Sequence, residues 1–154
     1  MIRVQRILVA TDFTEFGTLA IHYGREFAKT FSAELDVIFV TEPPVGMYGE
    51  FGTPLVVAKD WEVQTVSDGL RQLEEVTKFL EDIPRLERIV KIGVPYVEIV
   101  RYAKDSSCDL IILGTHGRRA ISHFLLGSTA EKVVRMAPCP VLTVRQGERQ
   151  FLVP

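Results

Sequence analysis

The sequence predicts a doubly wound α/β fold: a five-stranded parallel sheet with helices packed on both faces. Three observations carry that prediction. Five short apolar runs, RILVA, LDVIFV, LERIVKI, DLIIL and VLTV, alternate with four segments of helical periodicity, the order that builds β-α-β crossovers. The strands of the first, second and fourth runs are nearly continuous in apolar residues, as strands buried on both faces are. At 154 residues the chain can bury roughly 68–70% of its unfolded surface around one core, and two cores would strain that length. Residues 1–154 are therefore expected to form one domain.

In chain order, Arg6 to Ala10 is the first strand, ended by Thr11 and Asp12. Phe16, Leu19, Ala20, Tyr23, Phe27 and Phe31 then recur at helical spacing, with Thr14 and Gly17 near the start as capping candidates. Leu35 to Val40 is the second strand, so the chain opens β-α-β, a parallel pair joined by a right-handed crossover. Thr41 to Asp60 breaks the rhythm with Pro43, Pro44 and glycines 46, 49 and 52 around Met47, Tyr48 and Phe51. It reads as a long mobile loop beside the carboxyl edge of the sheet: a lid over a ligand, a partner contact or a disordered insertion. Val63, Val66, Leu70, Leu73, Val76 and Leu80 mark an amphipathic helix from Trp61 to Glu81, stopped before Pro84.

Leu86 to Ile92 is a third strand, less apolar than the others and so placed nearer an edge. Pro95 suits the first position of a helix through Val97, Ile99, Val100 and Ala103. Asp109 to Leu113, a helix from Ser128 to Met136, and the strand Val141 to Val144 complete the order (βα)₄β, leaving residues 146–154 as a tail.

Composition narrows the function. With 47% hydrophobic residues, 25% charged residues and a formal net charge of −2, nothing draws the chain to nucleic acid or an anionic membrane. No apolar run approaches the roughly 18 residues of a membrane span, and the start lacks the apolar segment of a signal peptide. Cys108 and Cys139 have no second Cys or His at metal-ligand spacing and read as structural thiols in a reducing compartment, so a cytoplasmic location is expected.

The chemistry concentrates between Asp109 and Thr129, in DLIILGTHGRRAISHFLLGST. A buried strand ends at Leu113 and Gly114; Gly114 and Gly117 let backbone N–H groups approach a ligand; Arg118 and Arg119 add positive charge. Gly127, Ser128 and Thr129 then precede a helix, with Ser128 and Thr129 suited to its N-cap, and a helix N-terminus is a ready anion site. An ordinary βα connection contains the same parts, and neither G-x-x-x-x-G-K-[ST] nor G-x-G-x-x-G occurs. In a doubly wound sheet, ligands sit outside the carboxyl ends of the strands, which brings Ala10, Thr11 and Asp12, Val40, and Gly114 to one crevice. Asp12 there could cap the following helix or, beside phosphate, hold Mg²⁺ through water. His116 could donate to a phosphate or merely sit exposed on its loop; His22 and His123 read as structural or solvent-facing. No Ser-His-Asp order and no carboxylate pair near the glycines marks a catalytic base, so any hydrolysis is expected to be slow.

Gly114-x2-Gly117-x9-Gly127-Ser128 resembles the nucleotide-binding signature of the universal stress protein family. With R-I-L-V-A-T-D-F at the start and A-E-K-V-V-R-M-A-P-C-P-V-L-T-V-R at the end, the similarity extends from Arg6 to Arg145. The resemblance implies a Rossmann-like sheet of order 3-2-1-4-5 and, since the glycines and Ser128 are all present, membership of the ATP-binding branch. It implies adenine near Val40 and ribose or metal-linked contacts near Thr11 and Asp12, with Ala10 and Leu113 adjoining. Phosphates of ATP, or of ADP or AMP, would lie over Gly114, Gly117, Arg118, Gly127, Ser128 and Thr129, with Mg²⁺ and with His116 as a candidate donor beside them. It also implies a homodimer through Val141 to Val144. The expected function is a nucleotide-dependent regulatory switch in the stress response, read by a protein partner that the sequence does not identify. A slow ATPase or a self-phosphorylating protein with Ser128, Thr129 or Ser122 as acceptor is the enzymatic alternative, and a structural homodimer with a vestigial crevice is the third.

Overall fold

The computed structural model describes residues 2–44, 58–115 and 126–145. Its strands are β1 (Arg6–Thr11), β2 (Glu34–Thr41), β3 (Leu86–Ile92), β4 (Leu110–Gly114) and β5 (Val141–Val144). All neighbours pair parallel, in the order β3-β2-β1-β4-β5, so the predicted topology is the observed one and β3 and β5 are the edges. The helices are α1 (Glu15–Phe31), α2 (Ala58–Val76), α3 (Pro95–Asp105) and α4 (Ser128–Met136).

Side chains of a strand alternate between the two faces of its sheet, and every central strand here is apolar on both. Ile7, Val9, Leu35, Val37 and Ile112 pack against Ala20, Ile21 and Ala28 of α1 and Leu73 of α2. Leu8, Ala10, Ile38, Ile111 and Leu113 pack against Ile99 and Ala103 of α3 and Ala130 and Val133 of α4. Full burial of one such aliphatic side chain is worth about 1.5–3 kcal/mol, so this two-sided core fixes where the strand ends lie.

The second helix departs from its prediction. It ends at Val76, and only a 3₁₀ turn, Lys78–Leu80, continues toward Glu81. The cause is Thr77, wholly buried, whose hydroxyl donates to the Leu73 carbonyl at 2.6 Å and accepts from Arg88 Nε of β3 at 2.7 Å. The stretch read as a loop from Thr41 to Asp60 is also shorter, since β2 includes Thr41 and α2 starts at Ala58. Residues 45–57 and the tail 146–154 lie outside the described residues.

Candidate functional site

Parallel connections bring helix N-termini to the carboxyl edge of the sheet. There the ends of β1, β2 and β4 and the first turns of α1, α3 and α4 surround a crevice of about 440 Å³, within the usual range of small-molecule sites. Ala10, Thr11, Asp12, Val40, Leu113, Gly114, Gly127, Ser128 and Thr129 all line it. His116, Gly117 and Arg118 lie outside the described residues, as do Arg119, Ser122 and His123. His22 is exposed and stacks on Phe79, with ring centroids 4.3 Å apart.

At the end of β1 the chain turns sharply. Phe13 sits at φ 65°, its N–H donates to Thr11 Oγ1 at 3.1 Å, and its ring lies 4.4 Å from Phe39. A left-handed non-glycine residue costs about 1–3 kcal/mol and persists only where its surroundings hold it. Asp12 Oδ1 accepts from the Thr14 N–H at 3.1 Å and from the Thr14 hydroxyl at 2.5 Å. Thr14 in turn caps α1 by accepting from the Gly17 N–H at 3.4 Å. Asp12 is therefore not the cap; it orients the residue that is. A Cβ on Gly17 would stand 2.5 Å from Thr11 Oγ1 and 2.9 Å from Asp12 Oδ1, so glycine is what lets α1 begin this close to the carboxylate.

At the end of β4, Gly114 has a packing reason beyond ligand approach. A Cβ there would meet the Phe16 Cβ at 2.8 Å and its carbonyl group at 3.2 Å. The Thr115 N–H donates to the Val144 carbonyl at 2.8 Å and the Gly127 N–H to the Thr115 carbonyl at 2.6 Å, which pins the start of α4 beside β4. Gly127 is then the N-cap residue, extended at φ −60° and ψ 150°, and no side chain caps the helix. Ser128 and Thr129 were expected to supply that cap; because the Thr115 bond anchors the extended residue at 127, they are instead the first two helical residues. The leading N–H groups of α4 have no intrahelical partner and carry the positive end of the helix dipole at the crevice.

The opposite wall was read from the sequence only at Thr41 and Glu42, within the stretch expected as a lid or partner contact. Val94, Pro95, Tyr96 and Ile99 line it from the start of α3, with Thr41 at the end of β2, Glu42 just after it and Lys132 from α4. The Lys132 ammonium lies 4.7 Å from the centre of the Tyr96 ring. Pro95 at the first helical position was the available signal, because it places that helix start at the carboxyl edge. Among the described lining residues the charged side chains are Asp12, Glu42 and Lys132.

Cys108 and Cys139 are free and belong to the core beneath α3 and α4, where burial pushes the Cys108 thiol up to about 12. No group of three His, Cys, Asp or Glu among the described residues is arranged to hold a metal, and no described helix is long and apolar enough to cross a membrane.

Residues 3–145 match the sequence profile of the Universal stress protein family. The chain belongs to that family. Universal stress protein MJ0531 of Methanocaldococcus jannaschii is 32% identical over 149 residues, which cover 95% of this chain and 85% of that protein. The solved structure of MJ0577, a universal stress protein of the same organism, matches with a TM-score of 0.78 at 28% identity, covering 96% of this chain and all of the other. A universal stress protein crystallised with cAMP matches at a TM-score of 0.65 and 22% identity, covering 94% of this chain and 98% of that one, a likeness of fold.

Proposed function

We propose that this universal stress protein binds an adenine nucleotide, ATP with Mg²⁺, in the crevice, and that occupancy is a signal read by another protein. One observation carries the reading: the uncapped start of α4 at Gly127, Ser128 and Thr129 faces the same crevice as Asp12, across the ends of the adjacent strands β1 and β4. A helix N-terminus suits phosphate oxygens, and a single carboxylate suits Mg²⁺, which completes its shell with phosphate and water. In this reading the base lies by Val40, the sugar by Thr11 and Asp12, and the phosphates over Gly114 and the first turn of α4, with Ala10 and Leu113 as floor. His116, Gly117 and Arg118 belong to the same set by their place in the glycine signature. Mg²⁺ would supply charge neutralisation at the phosphates. The cAMP complex of a protein with this fold supports an adenine nucleotide as the ligand.

The edge position of β5 supports a homodimer through Val141 to Val144, since a free strand edge is a template for a second copy. The two free thiols support a reducing, cytoplasmic location.

The test is to denature the purified protein, identify any released nucleotide by mass, titrate the stripped protein with ATP and Mg²⁺, and follow both ADP release and transfer of label to protein. An adenine nucleotide bound with negligible turnover supports the reading. No binding of any adenine nucleotide would refute it, and turnover on the order of 1–10³ per second would make the protein an enzyme instead.

A further inference from the structure

We propose that Lys132 makes this crevice selective for nucleoside polyphosphates, its ammonium binding the phosphate chain beyond the first phosphate. The proposal rests on the nucleotide reading above and adds to it a residue outside the glycine signature.

Position comes first. Lys132 follows Ser128 by one helical repeat, so the two share a face of α4, and helical side chains tilt toward the N-terminus of their helix. The long stem of Lys132 therefore runs back toward the first turn, and both residues line the crevice. The ammonium is localised there, 4.7 Å from the centre of Tyr96, the second residue of α3. Its neighbour Glu131 is engaged by Arg135 at 2.9 Å. A ring face on an open wall holds a lysine weakly compared with a phosphate oxygen, so Tyr96 acts as a positioning residue from which the ammonium transfers to a phosphate.

Charge supplies the selectivity. The other charged lining residues described are carboxylates, Asp12 and Glu42, and Asp12 is the one that would face the phosphates through Mg²⁺. Lys132 is the one cation among the described lining residues, and its attraction grows with the charge of the ligand. A nucleoside gains nothing from it, and a lone phosphate held at the start of α4 lies one helical turn short of Lys132, so a di- or triphosphate that extends toward the ammonium gains most.

The experiment is calorimetric titration of ATP, ADP, AMP and adenosine, at one fixed Mg²⁺ concentration, against the wild type, Lys132→Met and Tyr96→Phe. Lys132→Met keeps an apolar stem and removes the charge at an exposed position, and melting temperatures verify folding. The expected result is a loss of about tenfold for ATP and ADP and less than about twofold for AMP and adenosine, with a shallower salt dependence of ATP binding. Tyr96→Phe, which retains the ring, should keep the wild-type preference. An unchanged ratio of ATP to AMP affinity in Lys132→Met, or an equal loss for all four ligands, would overturn the assignment. If the wild type itself binds none of them, the nucleotide reading has failed, and the two failures are thus distinct.

Discussion

Charged residues collect at both edges of the parallel sheet, and the two edges use them in opposite ways. At the amino edge they are consumed by one another. Arg6 binds Glu34 through Nε at 3.1 Å and Nη2 at 2.5 Å, Arg85 binds the other oxygen of Glu34 at 2.5 Å, and Asp109 accepts the N–H groups of Gln5 and Arg6 at 2.7 and 3.1 Å. Asp36, almost wholly buried, accepts from the Tyr102 hydroxyl at 3.1 Å and lies 3.9 Å from Arg6. At the carboxyl edge, Asp12, Glu42, Lys132 and an uncapped helix start are arrayed around open volume. The difference teaches where to look for chemistry. Charges joined across strands hold those strands in register, whereas polar groups that line a crevice can meet a ligand even where, as at Asp12, one oxygen is already engaged by Thr14.

The largest expected effect separates binding from folding. Gly127 has backbone angles that any residue can adopt, so Gly127→Val should fold, while its branched side chain obstructs the N–H groups of α4. ATP affinity measured by titration should fall about a hundredfold, about 2.8 kcal/mol, with little change in melting temperature. Gly114→Ala tests the complementary case. Its Cβ would stand 2.8 Å from Phe16 Cβ against backbone that cannot yield cheaply, so urea unfolding should show a loss of about 1–3 kcal/mol. If Gly114→Ala left stability intact and removed ATP binding, the first signature glycine would belong to the ligand and not to the packing of α1.

Legibility in the sequence followed the same division. Strand order and the two-sided core were readable because uninterrupted apolar runs such as RILVA and LIIL admit few other placements. Asp12, Val40 and Gly114 could be brought together because ligands of such sheets gather at the carboxyl ends. Lys132 and Tyr96 were not readable, since their meeting depends on how α3 and α4 pack against each other. The cap at Gly127 was missed because a backbone bond to Thr115 decides it, and Thr77 ended its helix through Arg88, a partner from another strand. Asp36 left a trace, one acid inside an otherwise apolar run, but its partners come from β1 and α3 and carry no local pattern.

A smaller effect probes the paired charges near the amino edge. Asp82, in the turn before β3, is bound by Arg25 at 3.1 and 2.6 Å and lies 3.1 Å from Lys29, and these partners lower its carboxyl to about 2. A depressed carboxyl contributes stability that is present above its unfolded value of 3.8 and lost as pH falls through about 2. Asp82→Asn should therefore be slightly less stable than the wild type above pH 3.8 and converge with it as pH falls through about 2, flattening the acid limb over that interval. An unaltered acid limb would mean that the pair contributes nothing.

Asp36 should respond with the opposite sign. Burial raises its carboxyl above 3.8, and this outweighs the Tyr102 hydrogen bond and the nearby Arg6, both of which favour the charged form. Its contribution to stability is thus fully present below 3.8 and is lost as pH rises through the folded value. Asparagine keeps the shape and the acceptor for Tyr102 without the charge. The wild type and Asp36→Asn should converge in urea unfolding below pH 3.8 and diverge above it, the variant becoming more stable by about 1 kcal/mol or less at neutral pH, as replacement of a buried charge allows. A variant that is less stable at neutral pH would show that Arg6 and Tyr102 more than compensate the desolvation of Asp36. The amino edge would then be held together by a buried charge, and not only by the pairing of charges around it.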